Sequence, residues 1–340
     1  MKRSPVLVLL LSLLACAVPG AMSSDRAAAQ EATGITLRVA TFAPRGSTWF
    51  RVFSAWGNSL RTQTGGRLTL QVVAGGTQGD ERATLARIRA NELEGATFTA
   101  LGLGLIARPV LVMQAPGVIE GYPQLDRVRT AMDAEWRSTF EAQGFTLAGW
   151  TDVGQARVFS TRPIAQPSDL RTAHPWVMEG DTLFPEFLRT VECRGGVTAP
   201  IADVLPGLTA GRIDTVVASP TAVSALQWHT RLTHVMQQSN AVLVGATLFS
   251  REDIQALPAD LQEALRTTGA QAHQRLSEAV RREDDRYFQT LTAAGGTMTT
   301  VDASPHEAAW RAAAQQTRER MVGPVFSREL LDRVLAARGH

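Results

Sequence analysis

The sequence predicts an α/β fold arranged as two lobes, and three observations predict it. Residues 35–101 alternate β-branched runs with helical patterns in the order β-α-β-α-β, the opening of a parallel α/β lobe. A Pro-punctuated connection, Arg162 to Met178, then leads from a strand end through Pro163, Pro167 and a Ser168–Asp169 turn into a second extended stretch. Such a connection carries the chain from one α/β lobe to another, and the face beside it is where a ligand is clasped. Finally, one long helical pattern runs from Pro258 to about Thr292, with Leu261, Leu265, Leu276, Val280 and Leu291 at helical spacing.

Taken in order, Ile35 to Thr41 alternates as a strand. Ser47 or Thr48 caps a helix with Trp49, Phe53, Trp56 and Leu60 at helical spacing, and Gly65–Gly66 ends it. Leu68, Leu70 and Val72 share one face of the next strand. Asp80 caps a helix carrying Leu85 and Ile88, and Gly95 to Leu101 reads as a third strand. After an apolar stretch with Pro109 and Pro116, a helix is expected from Pro123 to Ala142, with strands at 145–150 and 151–161. Beyond the crossover come a helix from near Asp181 to Thr190, a helix and strand across 205–219, a helix opened by Pro220, and a strand from Ala241 to Phe249. After the long helix, a short strand (Thr297–Val301) precedes helices starting at Ser304–Pro305 and Ser327. The boundaries read from this pattern are 31–155, mainly the first lobe, 156–250, mainly the second, and 251–340 for the long spanning helix and the C-terminal helices that pack back on the lobes.

The first 30 residues read as a secretory signal: Lys2 and Arg3, an apolar run from Val6 to Ala17, then small residues. That run is shorter than the roughly 20 residues of a transmembrane helix. Leu13-Leu14-Ala15-Cys16 is a loose lipobox that would place a lipid on Cys16; cleavage near Ala29 is the alternative. The formal net charge is +2, and removing Lys2 and Arg3 with the signal brings it to zero. A near-neutral protein without a basic tract argues against nucleic acid as a partner. With Cys193 the only cysteine after Cys16, no internal disulfide framework is expected.

Three stretches resemble, in order, the periplasmic solute-binding subunits of TRAP (tripartite ATP-independent periplasmic) transporters. Arg162 to Arg171 resembles the strand that leads to the family's DLKG turn, Pro200 to Asp214 its helix-glycine-strand segment, and Leu257 to Leu265 the start of its long helix. The resemblance covers about residues 35–325. It implies a two-lobed periplasmic binding-protein fold (type II-like) with the long helix spanning both lobes, closure on one small molecule by hinge motion, no catalysis, and delivery to a membrane permease driven by an ion gradient. Some members pair with a helical-repeat periplasmic protein and take hydrophobic ligands.

The departures from the family pattern matter most. The family carries a carboxylate-clamping arginine where this chain has Trp176, another where it has Ala156, and an asparagine where Ser219 precedes Pro220. A guanidinium grips a carboxylate bidentately; an indole offers an apolar face and one N–H. The expected cleft lining is therefore apolar and aromatic: Phe98, Trp150, Trp176, Met178 and Trp228. Arg157 and Arg45 remain as anchors for a head group, and Arg157 would be the clamp of an organic-acid receptor if the register slipped by one. The expected ligand is hydrophobic or amphipathic. A stand-alone sensor or lipid carrier is the alternative.

No catalytic constellation competes with this reading. Gly102-x-Gly104-x-x-Ala107 mimics a dinucleotide fingerprint, but Arg108–Pro109 follows where the pyrophosphate-binding helix should continue. His229 and His234 are five apart, off a common helical face, and no zinc or nucleophile-elbow pattern is present. No cofactor and no metal are expected.

Overall fold

The computed structural model describes residues 34–339, so the signal-peptide and Cys16 expectations fall outside the described residues. The chain begins β1 (Ile35–Ala40), α1 (Thr48–Gln63), β2 (Leu68–Val73), α2 (Glu81–Arg89), β3 (Gly95–Thr99) and α3 (Ala100–Ile106). β1 pairs in parallel with both β2 and β3. Ser47 Oγ accepts from Phe50 N at the start of α1, and the Asp80 carboxylate accepts from Ala83 N at the start of α2. Both side chains satisfy backbone donors that a helix start otherwise leaves unpaired.

A 3-10 segment (Arg108–Gln114) leads to α4 (Tyr122–Ala131) and α5 (Asp133–Glu141). The single helix expected over 123–142 is thus broken at Met132, whose backbone is non-helical (φ −116°, ψ 13°). The break directs Met132, Trp136 and Phe140 into one core. β4 (Phe145–Ser160) is one strand of 16 residues where the sequence suggested two.

The second lobe follows with β5 (Trp176–Met178), α6 (Phe184–Thr190), β6 (Val197–Ala199), α7 (Val204–Thr209), β7 (Thr215–Ala218), α8 (Pro220–Ala225) and β8 (His234–Met236). Then come β9 (Ala241–Ser250), α9 (Arg251–Gln255), α10 (Ala259–Thr292), β10 (Thr299–Val301), α11 (Glu307–Met321) and α12 (Arg328–Arg338).

The main sheet runs β10-β8-β4-β9-β3-β1-β2, with β7 also on β4, and β5 and β6 form a separate parallel pair. β9 lies antiparallel between β3 and β4 and places Val242, Val244, Ala246 and Leu248 in the first lobe's core. Residues 241–250, inside the stretch read as mainly the second lobe, thus run through the first lobe's core. Among the described residues, three elements cross between the lobes. β4 starts in the first core (Phe145, Leu147) and ends in the second (Val158, Phe159). α10 passes from Leu261 in one core to Leu291 in the other, and α11 returns from Ala313 in the second to Met321 in the first.

Candidate functional site

A cavity of about 1140 Å³ is walled by both lobes and by α11. β5 supplies Trp176 and Met178, two apart and therefore on one face of the strand. The Trp176 ring is almost wholly buried and stands edge-on to Trp228, centroids 5.4 Å apart. Its indole N–H donates to the Ala199 carbonyl at 2.8 Å. That bond ties β5 to β6 and leaves the cavity only the ring's apolar surface. Ser219, at the N-cap of α8, also lines the cavity; its Oγ accepts from Ala222 N, which leaves the hydroxyl proton to donate.

β4 supplies Val153, Ala156 and Val158. The change from odd to even positions follows a bulge between Asp152 and Gly154, which shifts the register against β9. Gly154 has φ +123°, and a Cβ there would lie 2.5 Å from Ser219 Cβ and 2.7 Å from Asp284 Oδ1. Both positions at which the family pattern has an arginine, 156 and 176, therefore open on the cavity as alanine and tryptophan.

Four of the sequence-predicted site residues, Trp176, Met178, Ser219 and Trp228, come together here. The other four do not. Arg157 points to the opposite face of β4 from Ala156 and Val158: it stacks on Phe288 of α10 at 4.1 Å and donates to Gln155 Oε1 and the Gln237 carbonyl. An organic-acid clamp at Arg157 thus has no geometric basis. Phe98 is a core residue, packed so closely on α3 that a Cβ at Gly102 would sit 2.4 Å from its ring. Gly102 and Gly104 lie within that helix. Trp150 packs against Trp136 and Phe140, with the Arg129 guanidinium 5.3 Å above its ring. Arg45 is exposed and lies over Phe50 outside the cavity.

Several cavity residues escaped the sequence reading. Glu307, Trp310, Arg311, Ala314 and Arg318 form one face of α11, at spacings of three and four. Arg338 of α12 and Gln114 join them. Arg318 and Arg338 converge on one turn: Arg318 Nη1 donates to Pro116 O at 2.7 Å, and Arg338 Nη1 donates to the Gly117 and Val118 carbonyls at 2.8 Å. Burial, and then the charge of Arg338, lower the pKa of Arg318. Across the cavity, Asp181 accepts from Leu183 N and Phe184 N, while burial pushes its carboxyl above the usual range. Among the described residues, no group of three or more His, Cys, Asp or Glu could hold a metal ion.

Charged groups fasten the elements that cross behind the cavity. Asp152, wholly buried, accepts from Arg129 Nη1 and Arg281 Nε, each at 2.6 Å, and Arg281 reaches on to Asp126 with two further bonds. Three residues along α10, Asp284 accepts from Gln155 N on β4 and from Thr221 N and Oγ1 on α8. Asp152 and Asp284 bind α10 to the point at which β4 changes lobes.

Residues 39–323 match the model of the bacterial extracellular solute-binding proteins, family 7. Among solved structures, a TRAP periplasmic solute-binding protein from Shewanella oneidensis with bound succinate is similar at TM-score 0.81 and 14% identity, covering 90% of this chain and 99% of that one. An extracytoplasmic solute receptor from Bordetella pertussis binding pyroglutamic acid gives 0.80 and 14%, over 90% and 100%. A TRAP periplasmic solute-binding protein from Roseobacter denitrificans with bound β-D-glucuronate gives 0.77 and 19%, over 89% and 99%. At these identities the likeness shows the fold.

Proposed function

The chain belongs to family 7 of the bacterial extracellular solute-binding proteins, and from that premise we propose that it captures a hydrophobic or amphipathic ligand between its lobes. Proteins of this family are periplasmic receptors, not enzymes; they bind small molecules and work with the membrane permease subunits of TRAP transporters. The observation that carries the ligand reading is Trp176. It stands where the resemblance puts the clamp arginine, its N–H is held by Ala199 O, and its ring meets Trp228 on the cavity wall.

The three structural neighbours above hold a dicarboxylate, a cyclic amino acid and a sugar acid, all small and polar. The cavity here, about 1140 Å³, is larger than the roughly 300–1,000 Å³ of typical ligand sites. Apolar surface removed from water supplies about 25 cal/mol per Å², so an apolar body of moderate size binds here without a clamp on β4 or β5. An anchor at Cys16 and a helical-repeat periplasmic partner would suit a ligand that partitions from membranes.

The test is native mass spectrometry of protein purified from its own periplasm, followed by denaturing extraction and identification of what is released. A lipid-like or aromatic molecule supports the proposal. A bound sugar acid or small dicarboxylate, retained by Trp176→Ala, overturns it.

A further inference from the structure

The cavity has two chemically different poles, one on each lobe. Trp176, Met178 and Trp228 belong to the second lobe's core region. Arg318 and Arg338 lie on the turn at 116–118, beside the first lobe's core, which contains Ala115, Val118, Met321 and Val334. Building on the proposed amphipathic ligand, we infer that Arg318 and Arg338 receive its single acidic head group, so that the molecule bridges the lobes with its anion on the α11–α12 side and its apolar body against Trp176.

Three observations carry this inference. First, the Arg338 charge lies close enough to lower the Arg318 pKa, both side chains hold the same turn, and among the described residues neither forms an ion pair. Their protein partners are the backbone carbonyls of 116–118, each reached through Nη1. A guanidinium carries five N–H donors, so both retain donors for an oxyanion.

Second, the surrounding amides are turned the same way. Gln114 Oε1 accepts from Val244 N, and Gln124 Oε1 accepts from Glu120 N. Both residues line the cavity, and with their oxygens engaged their NH2 groups are the ends left to donate. Third, the turn is shaped for the pair. Gly117 has φ +66°, and a Cβ there would lie 2.8 Å from Arg318 Nη1. Glu319, paired with Arg328, and Glu120, which shares the cavity, act on Arg318 only through space. Two like charges brought together against carbonyls gain from a bound anion, because it offsets their repulsion in a half-buried setting.

The experiment is calorimetric titration of the full-length mature protein with decanoate, decanol and succinate. It is repeated on Arg318→Gln, Arg338→Gln and the control Arg320→Gln, an exposed residue of α11 outside the cavity. The wild type and the control should bind decanoate roughly 10- to 100-fold more tightly than decanol, the range for losing one charged hydrogen-bonding partner. Each cavity variant should bring that ratio close to one. Equal binding of decanoate and decanol by the wild type overturns the anion site and leaves the apolar cavity standing. Variants that melt earlier but keep the ratio show that the arginines only pin the turn, which also overturns the inference. Succinate binding without either ten-carbon probe sinks the apolar reading itself.

Discussion

His273 gives this protein an acid-sensitive fastening whose size follows from the structure. The imidazole is fully buried on α10, with Nδ1 2.6 Å from Gly269 O and Nε2 2.7 Å from Thr247 Oγ1 on β9. A carbonyl can only accept, so Nδ1 carries the proton and Nε2 accepts from the threonine hydroxyl. Phe53 and Trp56 pack edge-on at 5.9 and 5.3 Å. Burial lowers the histidine pKa from 6.5 to about 4. The native state then keeps the ring neutral at pH values where the unfolded chain protonates it. Between pH 6.5 and about 4 the unfolded state binds more protons, so this contribution is complete above 6.5 and is lost as the pH falls. At 1.36 kcal/mol per pH unit the loss is about 2 kcal/mol at pH 5 and about 3 kcal/mol at pH 4. Glu81 and Asp284, raised by burial, contribute with the opposite sign, so the comparison must be with a variant that keeps them. Urea unfolding of wild type and His273→Gln at pH 7 and pH 5 isolates the histidine: wild type should lose about 2 kcal/mol more than the variant over that interval. The same pH dependence in both proteins would refute the reasoning.

Three further outcomes follow from the same contacts. Asp152→Asn leaves Arg129 and Arg281 without their shared carboxylate, and thermal unfolding should show a loss of about 3–5 kcal/mol. Gly154→Ala puts a Cβ 2.5 Å from Ser219 Cβ at a positive φ, so it should cost more than about 1–3 kcal/mol and expose β4 to limited proteolysis at the crossover. Trp176→Phe keeps an apolar ring but leaves Ala199 O without its donor; stability should fall by about 1–3 kcal/mol while an apolar ligand still binds in calorimetry, whereas Trp176→Ala should weaken that binding.

The local half of the fold was readable because its signals are local. Ser47, Asp80 and Ser327 mark helix starts through short-range hydrogen bonds, and the caps form at those residues. What the sequence could not show is pairing. The run from Ala241 to Ser250 is apolar on both faces, so it announces a buried strand without naming neighbours, and those neighbours are β3 and the first part of β4. Arg157 faces away from the cavity, as alternation along a strand requires once Ala156 lines it. What the sequence does not show is the bulge at Asp152–Gly154, which moves the cavity-facing positions of β4 from Val153 to Ala156 and Val158.

Trp176 was legible because it breaks a short pattern at a punctuated crossover. Arg318 and Arg338 were not, because their partners lie far away along the chain, at Pro116 and at Gly117–Val118. On α11 the alternation of Trp310, Ala314 and Arg318 reads as an amphipathic packing face, and nothing in the helix itself distinguishes a face on a core from a face on a cavity. Their position nevertheless has a mechanical consequence. The three elements that cross between lobes are β4, α10 and α11, and each bears a charged or cavity-lining group near its crossing: Ala156 beside the Asp152 bulge, Asp284, and Arg318. Of the two proposed poles, Arg318 lies on a crossing element, α11, whereas Trp176 lies on β5 beside the second lobe's core. A ligand held at both poles, as proposed, would favour the arrangement of the lobes that brings them within reach of one molecule.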